Sequence, residues 1–272
     1  MVTIYKDYGD EPDPVFLPLP EELACRFYDL EMEAFAEDIP FYLEFLPASG
    51  TVLEIGCGSG RVARRLASRE RPVIGIDLLP AMAGRAAAHG HPHCSFIAMD
   101  MLSLGFCRGF TAVLVPYNTL NLLGEAQAIA KCLHGIYNLL DDGGALLLQL
   151  FTPTTAMFGG RGTTFQFQLF DLPEGGRVVK EIRTPLQAPG HTLLLEERYR
   201  LRPKAGDGEN RDYHPLRTLA ALDLPHWLAL FSTAGFTLLS HCGDAHLGPY
   251  DRTASPHCFL ALQKKSKKKP PS

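Results

Sequence analysis

Glu54-Ile55-Gly56-Cys57-Gly58-Ser59-Gly60 closes a short apolar run, Thr51 to Leu53, and opens a helix-patterned segment, Arg61-Val62-Ala63-Arg64-Arg65-Leu66-Ala67. Glycines at alternate positions let the backbone turn sharply from strand to helix and approach a ligand where any Cβ would clash. The helix that follows offers unpaired N–H groups at its first turn. This order of strand, glycine turn and helix predicts a nucleotide-type cofactor site.

The spacing selects among such cofactors. A dinucleotide fingerprint, G-x-G-x-x-G, needs glycine at position 61, where this chain has Arg61, so the usual pyrophosphate cradle is not spelled. What is spelled is an acid two residues ahead of the first glycine, then G-x-G-x-G. Val73-Ile74-Gly75-Ile76-Asp77 reads as a second buried strand, its acid about 20 residues past the loop, where a carboxylate can accept from two ribose hydroxyls. Cys94 to Met99, followed by Asp100-Met101, reads as a third strand with an acid at its end. Phe110 to Val115 gives a fourth, running into Pro116-Tyr117-Asn118-Thr119-Leu120-Asn121, and Asp141-Asp142-Gly143-Gly144 reads as the turn into a fifth, Ala145 to Phe151.

This ordered set resembles the class I S-adenosylmethionine-dependent methyltransferases, of the bacterial small-molecule type. The resemblance implies an α/β fold: a seven-stranded doubly wound sheet with an antiparallel β insertion after strand 5. It implies S-adenosyl-L-methionine as donor and S-adenosyl-L-homocysteine as product. Residue by residue, Glu54 would steady the loop and the cofactor's amino end, while Gly56, Cys57, Gly58 and Gly60 give the backbone approach. Arg61 would pair with the cofactor carboxylate or stand solvated in the first helical turn. Asp77, with Leu78 beside it, would take the ribose, and Asp100 with Met101 the adenine. Tyr117 and Asn118 would line the path between donor and acceptor. Tyr28, from a Tyr28-Asp29 pair in the first helical region, would lie over the cofactor or be a half-buried helix residue. Tyr117, Asn118 and Tyr28 are therefore the catalytic candidates.

With 272 residues, 46% of them hydrophobic, the chain can bury a full α/β core and an added subdomain. A net charge of -4 argues against a surface built to neutralise many phosphates, and so against a nucleic-acid partner. Seven scattered cysteines without a C-x-x-C pair read as reduced thiols. The acidic, proline-bearing start (Asp10-Glu11-Pro12-Asp13-Pro14) lacks the pattern of a leader. No apolar run approaches the roughly 20 residues of a bilayer span. These features predict a cytoplasmic protein without a membrane partner, a monomer or homodimer.

Five regions follow along the chain. Residues 1–47 read as an extended arm, with Tyr5, Tyr8 and Phe16 able to fold over a site, and a helical cap broken or kinked before Phe41 by Pro40. Residues 48–151 form the cofactor-binding core. Residues 152–222 carry strand-like runs separated by Pro173-Glu174-Gly175-Gly176 and Pro189-Gly190, with a further strand from Asp212 to Leu222, an antiparallel insertion placed to roof the acceptor. Residues 223–263 supply a closing helix, with Asp223 as cap and Gly235 as stop, and the last two strands. Residues 264–272 are a basic, solvated tail.

Methyl transfer from a sulfonium is an in-line displacement in which alignment and water exclusion carry much of the rate, and a small-molecule N or O acceptor is the expectation. The alternatives are an RNA or protein methyltransferase, or a non-catalytic cofactor-binding regulator. Acceptor contacts are sought among His191, Tyr213, His214, His226, Trp227, His246, Tyr250 and His257. His89, His91 and His93 alternate as metal ligands do, but their position before the third strand favours a plain surface loop, and no metal is expected.

Overall fold

The computed structural model describes residues 16–107, 109–155, 157, 163–185 and 191–265. The expectations for Tyr5, Tyr8, Pro189-Gly190 and residues 266–272 lie outside the described residues. In chain order the first elements are β1 (Phe16–Leu17), α1 (Glu21–Met32), α2 (Ile39–Phe45), β2 (Val52–Ile55), α3 (Arg61–Leu66), β3 (Val73–Asp77), α4 (Pro80–Ala88), β4 (Cys94–Ala98) and β5 (Phe110–Val115). A 3-10 turn (Thr119–Leu123) leads to α5 (Ala126–Leu139), β6 (Leu140–Phe151), β7 (Thr163–Asp171), β8 (Gly176–Pro185), β9 (Thr192–Pro203), β10 (Arg211–Tyr213) and β11 (Leu216–Ala220). The chain closes with α6 (Leu224–Thr233), β12 (Phe236–Cys242) and β13 (His257–Lys264).

Seven strands form the larger sheet in the order β12-β13-β6-β5-β2-β3-β4, in which only β13 runs against its neighbours. Helices cover both faces, so β2 is buried at every residue, as expected of a parallel strand between two helical layers. Successive side chains point to opposite faces. Leu53, Val113 and Leu148 thus join α5 and α6 (Ile129, Leu133, Trp227, Phe231), while Val52, Leu114 and Leu147 join α2 and α3 (Phe41, Tyr42, Val62, Leu66). Each such apolar side chain contributes about 1.5–3 kcal/mol on burial. No helix among the described residues is long and apolar enough to cross a membrane.

The antiparallel insertion forms a second sheet, β1-β10-β9-β8-β7, with β11 also on β9. Helix α1 packs on one of its faces, where Phe27 stacks on Tyr199 at 5.1 Å beside Val178, Leu172 and Tyr213.

Four local expectations are corrected. Phe16–Leu17 is not a free arm but pairs with β10. Pro40 does not break the helix; it stands in the first turn of α2, where its missing N–H costs nothing, and the chain turns earlier, between Met32 and Ile39. Asp141 to Gly144 lies inside β6 as an irregularity in the pairing with β5. The single strand expected from Asp212 to Leu222 is split into β10 and β11, both on β9. Asp223 caps α6 as expected, accepting from the His226 amide at 3.1 Å.

Candidate active site

The strand order reverses between β2 and β5, and open α/β sheets bind ligands at the C-terminal ends of strands at such a switch point. The glycine loop sits there. Its Gly56 and Cys57 amides donate to the Ile76 carbonyl at 2.8 and 2.9 Å, tying it to β3. Gly58 adopts φ +53°, and a Cβ there would stand 2.8–2.9 Å from the Tyr28 ring. Gly60, at φ +80°, turns the chain into α3. The loop is therefore closed on one side by the aromatic face of α1. Cys57 is buried, its thiol pushed far up in pKa by that burial, so it serves as packing.

Asp77, at the end of β3, accepts from the Gly58 amide at 2.9 Å and the Leu79 amide at 3.0 Å. Partial burial raises its pKa against the lowering effect of these amides. Beside it Leu78 is 67% exposed, an apolar side chain at the mouth of the loop. Asp100 stands exposed beyond β4, one oxygen accepting from the Leu102 amide at 2.8 Å, and Met101 packs half-buried against the core.

Glu54 is buried at the floor. One oxygen is engaged by the Ala63 amide while Oε2 has no partner. Desolvation lifts its pKa to about 8, with Arg61 opposing. A buried carboxylate oxygen without a donor is costly, and a ligand's ammonium group is the partner whose charge and geometry it fits. With the glycine cradle under Tyr28 and the acid at Asp77, the residues fit a cofactor carrying an amino group at one end and a ribose at the other.

Arg61 is 2% exposed, so the solvated alternative does not hold. Its two terminal nitrogens donate to Asp38 at 2.6 Å each, one also to the Phe35 carbonyl at 3.1 Å, and the guanidinium lies 5.0 Å from the Phe35 ring centre. Only its buried Nε is left without a partner. Asp29, neighbour of Tyr28, turns away to pair with Arg85 of α4.

At the end of β5, Tyr117 and Asn118 take φ +47° and +62°, a left-handed pair that costs energy for residues with a side chain. The Asn118 amide donates to the Gln149 carbonyl at 3.1 Å, while Asn118 Oδ1 and Gln149 Oε1 are buried without partners. The Tyr117 ring meets Phe35 edge-on at 5.7 Å. Glu31, one helical turn from Tyr28 and on the same face of α1, reaches Lys180 of β8 at 2.7 Å. Lys180 also bonds Glu197 of β9 at 2.8 Å, and Glu197 meets Arg217 of β11 at 3.2 Å. The two carboxylates raise the Lys180 pKa despite burial. Gln168, opposite Lys180 on β7, has a buried Oε1 without a partner.

The structure thus brings Tyr28, Glu54, the loop glycines, Asp77 and Leu78 together, with Tyr117 and Asn118 next to them and Asp100 and Met101 at the neighbouring strand end. It does not bring the acceptor candidates together. Trp227 and Tyr213 are core residues, His214 lies against Phe16 at 5.1 Å, and His191 stacks near His226 at 4.8 Å. His246 begins a loop folded on Asp244. His257 is half-buried beside Phe151, its pKa lowered by desolvation, and Tyr250 packs half-buried on the core. The His91 ring nitrogen is engaged locally, with Cys94 and the His93 amide at 3.3 Å. Among the described residues no three His, Cys, Asp or Glu side chains gather as a metal site.

Sequence reading missed Asp38, Glu31, Lys180, Glu197 and Asn121. Asn121 is fully buried and bonds Phe151 N, Phe151 O and Ala220 O at 2.7–3.1 Å, stitching the fourth-strand loop to the insertion. A signal existed for one of them: Lys180 holds an inward position between Val178 and Ile182 in an alternating strand.

Comparison with known proteins shows what the chain is similar to. Residues 52–144 match a family described as a methyltransferase domain. A protein of Geobacillus sp. (strain WCH70) named for methyltransferase activity is 26% identical over 196 residues, 71% of this chain and 76% of that protein. Among solved structures, the sugar N-methyltransferase KedS8 from Streptoalloteichus sp. ATCC 53650 is 19% identical, with TM-score 0.71 over 98% of this chain and 99% of that one. CalS10, an amino pentose methyltransferase from Micromonospora echinaspora, is 20% identical, with TM-score 0.68 over 93% of this chain and 100% of that one.

Proposed function

We propose that this chain, a class I S-adenosylmethionine-dependent methyltransferase by its methyltransferase domain match over residues 52–144, methylates the nitrogen of a small, hydroxyl-bearing amine. The observation that carries the reading is the acceptor-side wall. Asn118 Oδ1, Gln149 Oε1 and Gln168 Oε1 are buried oxygens without donors, beside Glu31 and Glu197, whose charges Lys180 and Arg217 balance. Such a surface asks for N–H and O–H donors. An amine flanked by hydroxyls supplies them, whereas a phosphate or carboxylate would set acceptor against acceptor. The acceptors named for KedS8 and CalS10, sugars methylated at nitrogen and amino pentoses, are of this kind.

When bound, the donor supplies a methyl group activated on a sulfonium. Glu54 holds its amino end, the glycine loop its backbone approach, Asp77 and Leu78 the ribose, and Asp100 with Met101 the adenine. Tyr28 covers the loop and excludes water, and Tyr117 with Asn118 aims the acceptor nitrogen along the line of displacement. Alignment of this kind is worth roughly 7–11 kcal/mol of barrier. The nitrogen must arrive neutral for its lone pair to attack.

Incubating the purified protein with tritiated donor and fractionated cell extract tests the reading. Label is expected in small amines. Label in RNA or protein, or donor binding without any transfer, would sink it.

A further inference from the structure

Two amide side chains stand in the turn that follows β5, and they are used differently. Asn118 Oδ1 is buried without a partner. Asn121, 0% exposed, commits its whole side-chain amide to backbone. Its Nδ2 donates to the Phe151 carbonyl at 2.9 Å and the Ala220 carbonyl at 2.7 Å, and its Oδ1 accepts from the Phe151 N–H at 3.1 Å. Phe151 ends β6 and Ala220 ends β11, so one side chain grips the chain where it leaves the larger sheet for the insertion and where the insertion returns. Phe151 in turn packs against Leu193, Leu219 and Ala221 at the root of the insertion. The same turn reaches the glycine loop: Thr119 lies so close over Gly56 that a Cβ there would stand 2.3 Å from its methyl carbon.

We propose that Asn121 is a positioning residue for methyl transfer, which sets the insertion against the Tyr117-Asn118 pair without itself touching donor or acceptor. The proposal rests on the reading of that pair as the one that aims the acceptor. Tyr117 and Asn118 hold consecutive left-handed backbone, and such conformations persist only where the surroundings over-determine them. The main-chain N–H of Asn121 donates to the Asn118 carbonyl at 3.0 Å, so the clamped residue is also bonded to the strained pair. Its side chain is closed to solvent and fully engaged, which leaves no group for a substrate. An aliphatic residue of the same size would fill the space but hold none of the three backbone groups, whereas an amide presents donors and an acceptor side by side. In-line displacement tolerates little error: a misplacement of about 1 Å costs on the order of 100-fold in rate. A residue that sets roof against floor therefore acts on the chemical step and leaves donor affinity to Glu54, Gly58 and Asp77.

Steady-state transfer from tritiated S-adenosylmethionine into fractionated cell extract, at saturating donor and extract, tests the proposal on the full chain. Asn121→Asp keeps the shape but sets oxygen against the Phe151 and Ala220 carbonyls, and Asn121→Leu fills the space without hydrogen bonds. Both should lower kcat about 100-fold, with donor affinity by calorimetry unchanged and native far-UV circular dichroism retained. Asn121→Ser, whose hydroxyl can replace one of the bonds, should fall between these and wild type, and it decides the matter if the other two do not fold. A kcat per folded molecule equal to wild type, or a kcat loss matched by an equal loss of donor affinity, would overturn the proposal and leave Asn121 a structural strut. The fraction that wild type labels judges the acceptor reading separately. Label in RNA or protein refutes the small amine, while the ratio of variant to wild type still judges Asn121. A wild type that transfers no label refutes both.

Discussion

Glu54 and Asp77 are both carboxylates at the glycine loop, and burial raises the pKa of each, opposed at Asp77 by the loop amides. Burial holds the Glu54 pKa near 8 against an ordinary value of 4.5. Across that window the folded chain keeps a proton that the unfolded chain has released. Stability therefore declines as pH rises from about 4.5 to about 8, and levels off above. Glu54→Gln should remove the decline, giving a higher urea midpoint than wild type at pH 8. The same change should weaken donor binding roughly 10- to 100-fold, since a bond to a charged group is worth about 1.5–3 kcal/mol. Undiminished affinity by calorimetry would remove Glu54 from the amino-group site. Asp77→Ala should abolish measurable donor binding, because it would delete both the proposed ribose acceptor and the bond that shapes Gly58. Gly58→Val should also block binding while the chain stays folded, as its side chain would enter the space of the Tyr28 ring.

At the scale of elements, the link between α2 and α3 is an ion pair. Asp38 and Arg61 are both buried, at 0% and 2%, and hold the segment after α1 against the helix that begins at the loop. Asp38→Ala would leave a buried guanidinium without its counter-charge, a loss on the order of 3–5 kcal/mol, read as a lower urea midpoint. A shift below about 1 kcal/mol would mean that the pair is solvated in practice. This clamp shows where legibility stopped. Loop, strands and strand-end acids were readable because each is a local pattern, complete within a few residues. Arg61 lay inside that pattern, but its partner stands 23 residues earlier, and nothing in the spacing of a helix start names it. The turn at Pro40 was misplaced for a related reason: proline opens a helix as readily as it interrupts one, and only the neighbouring elements decide.

At the scale of the whole molecule, the insertion is tied to the rest of the chain through polar groups far apart in sequence: Lys180 with Glu31 of α1, 149 residues earlier, and Ala220 with Asn121 of the fourth-strand loop, 99 residues earlier. The antiparallel character of the insertion was legible from its turns, but the residues facing the acceptor were not, since the histidines and aromatics that drew notice serve packing or local loops. Lys180→Met should leave donor affinity unchanged and raise the KM for the acceptor amine at least tenfold; an equal loss in both would make Lys180 a general strut. One further property of the core concerns optics. Trp227 is the sole tryptophan, fully buried and stacked on Phe231 at 6.0 Å. Indole emission therefore comes from a single place, in the core packed against the larger sheet. Fluorescence and circular dichroism traces that part company in urea would reveal two cooperative units, and traces that coincide would reveal one.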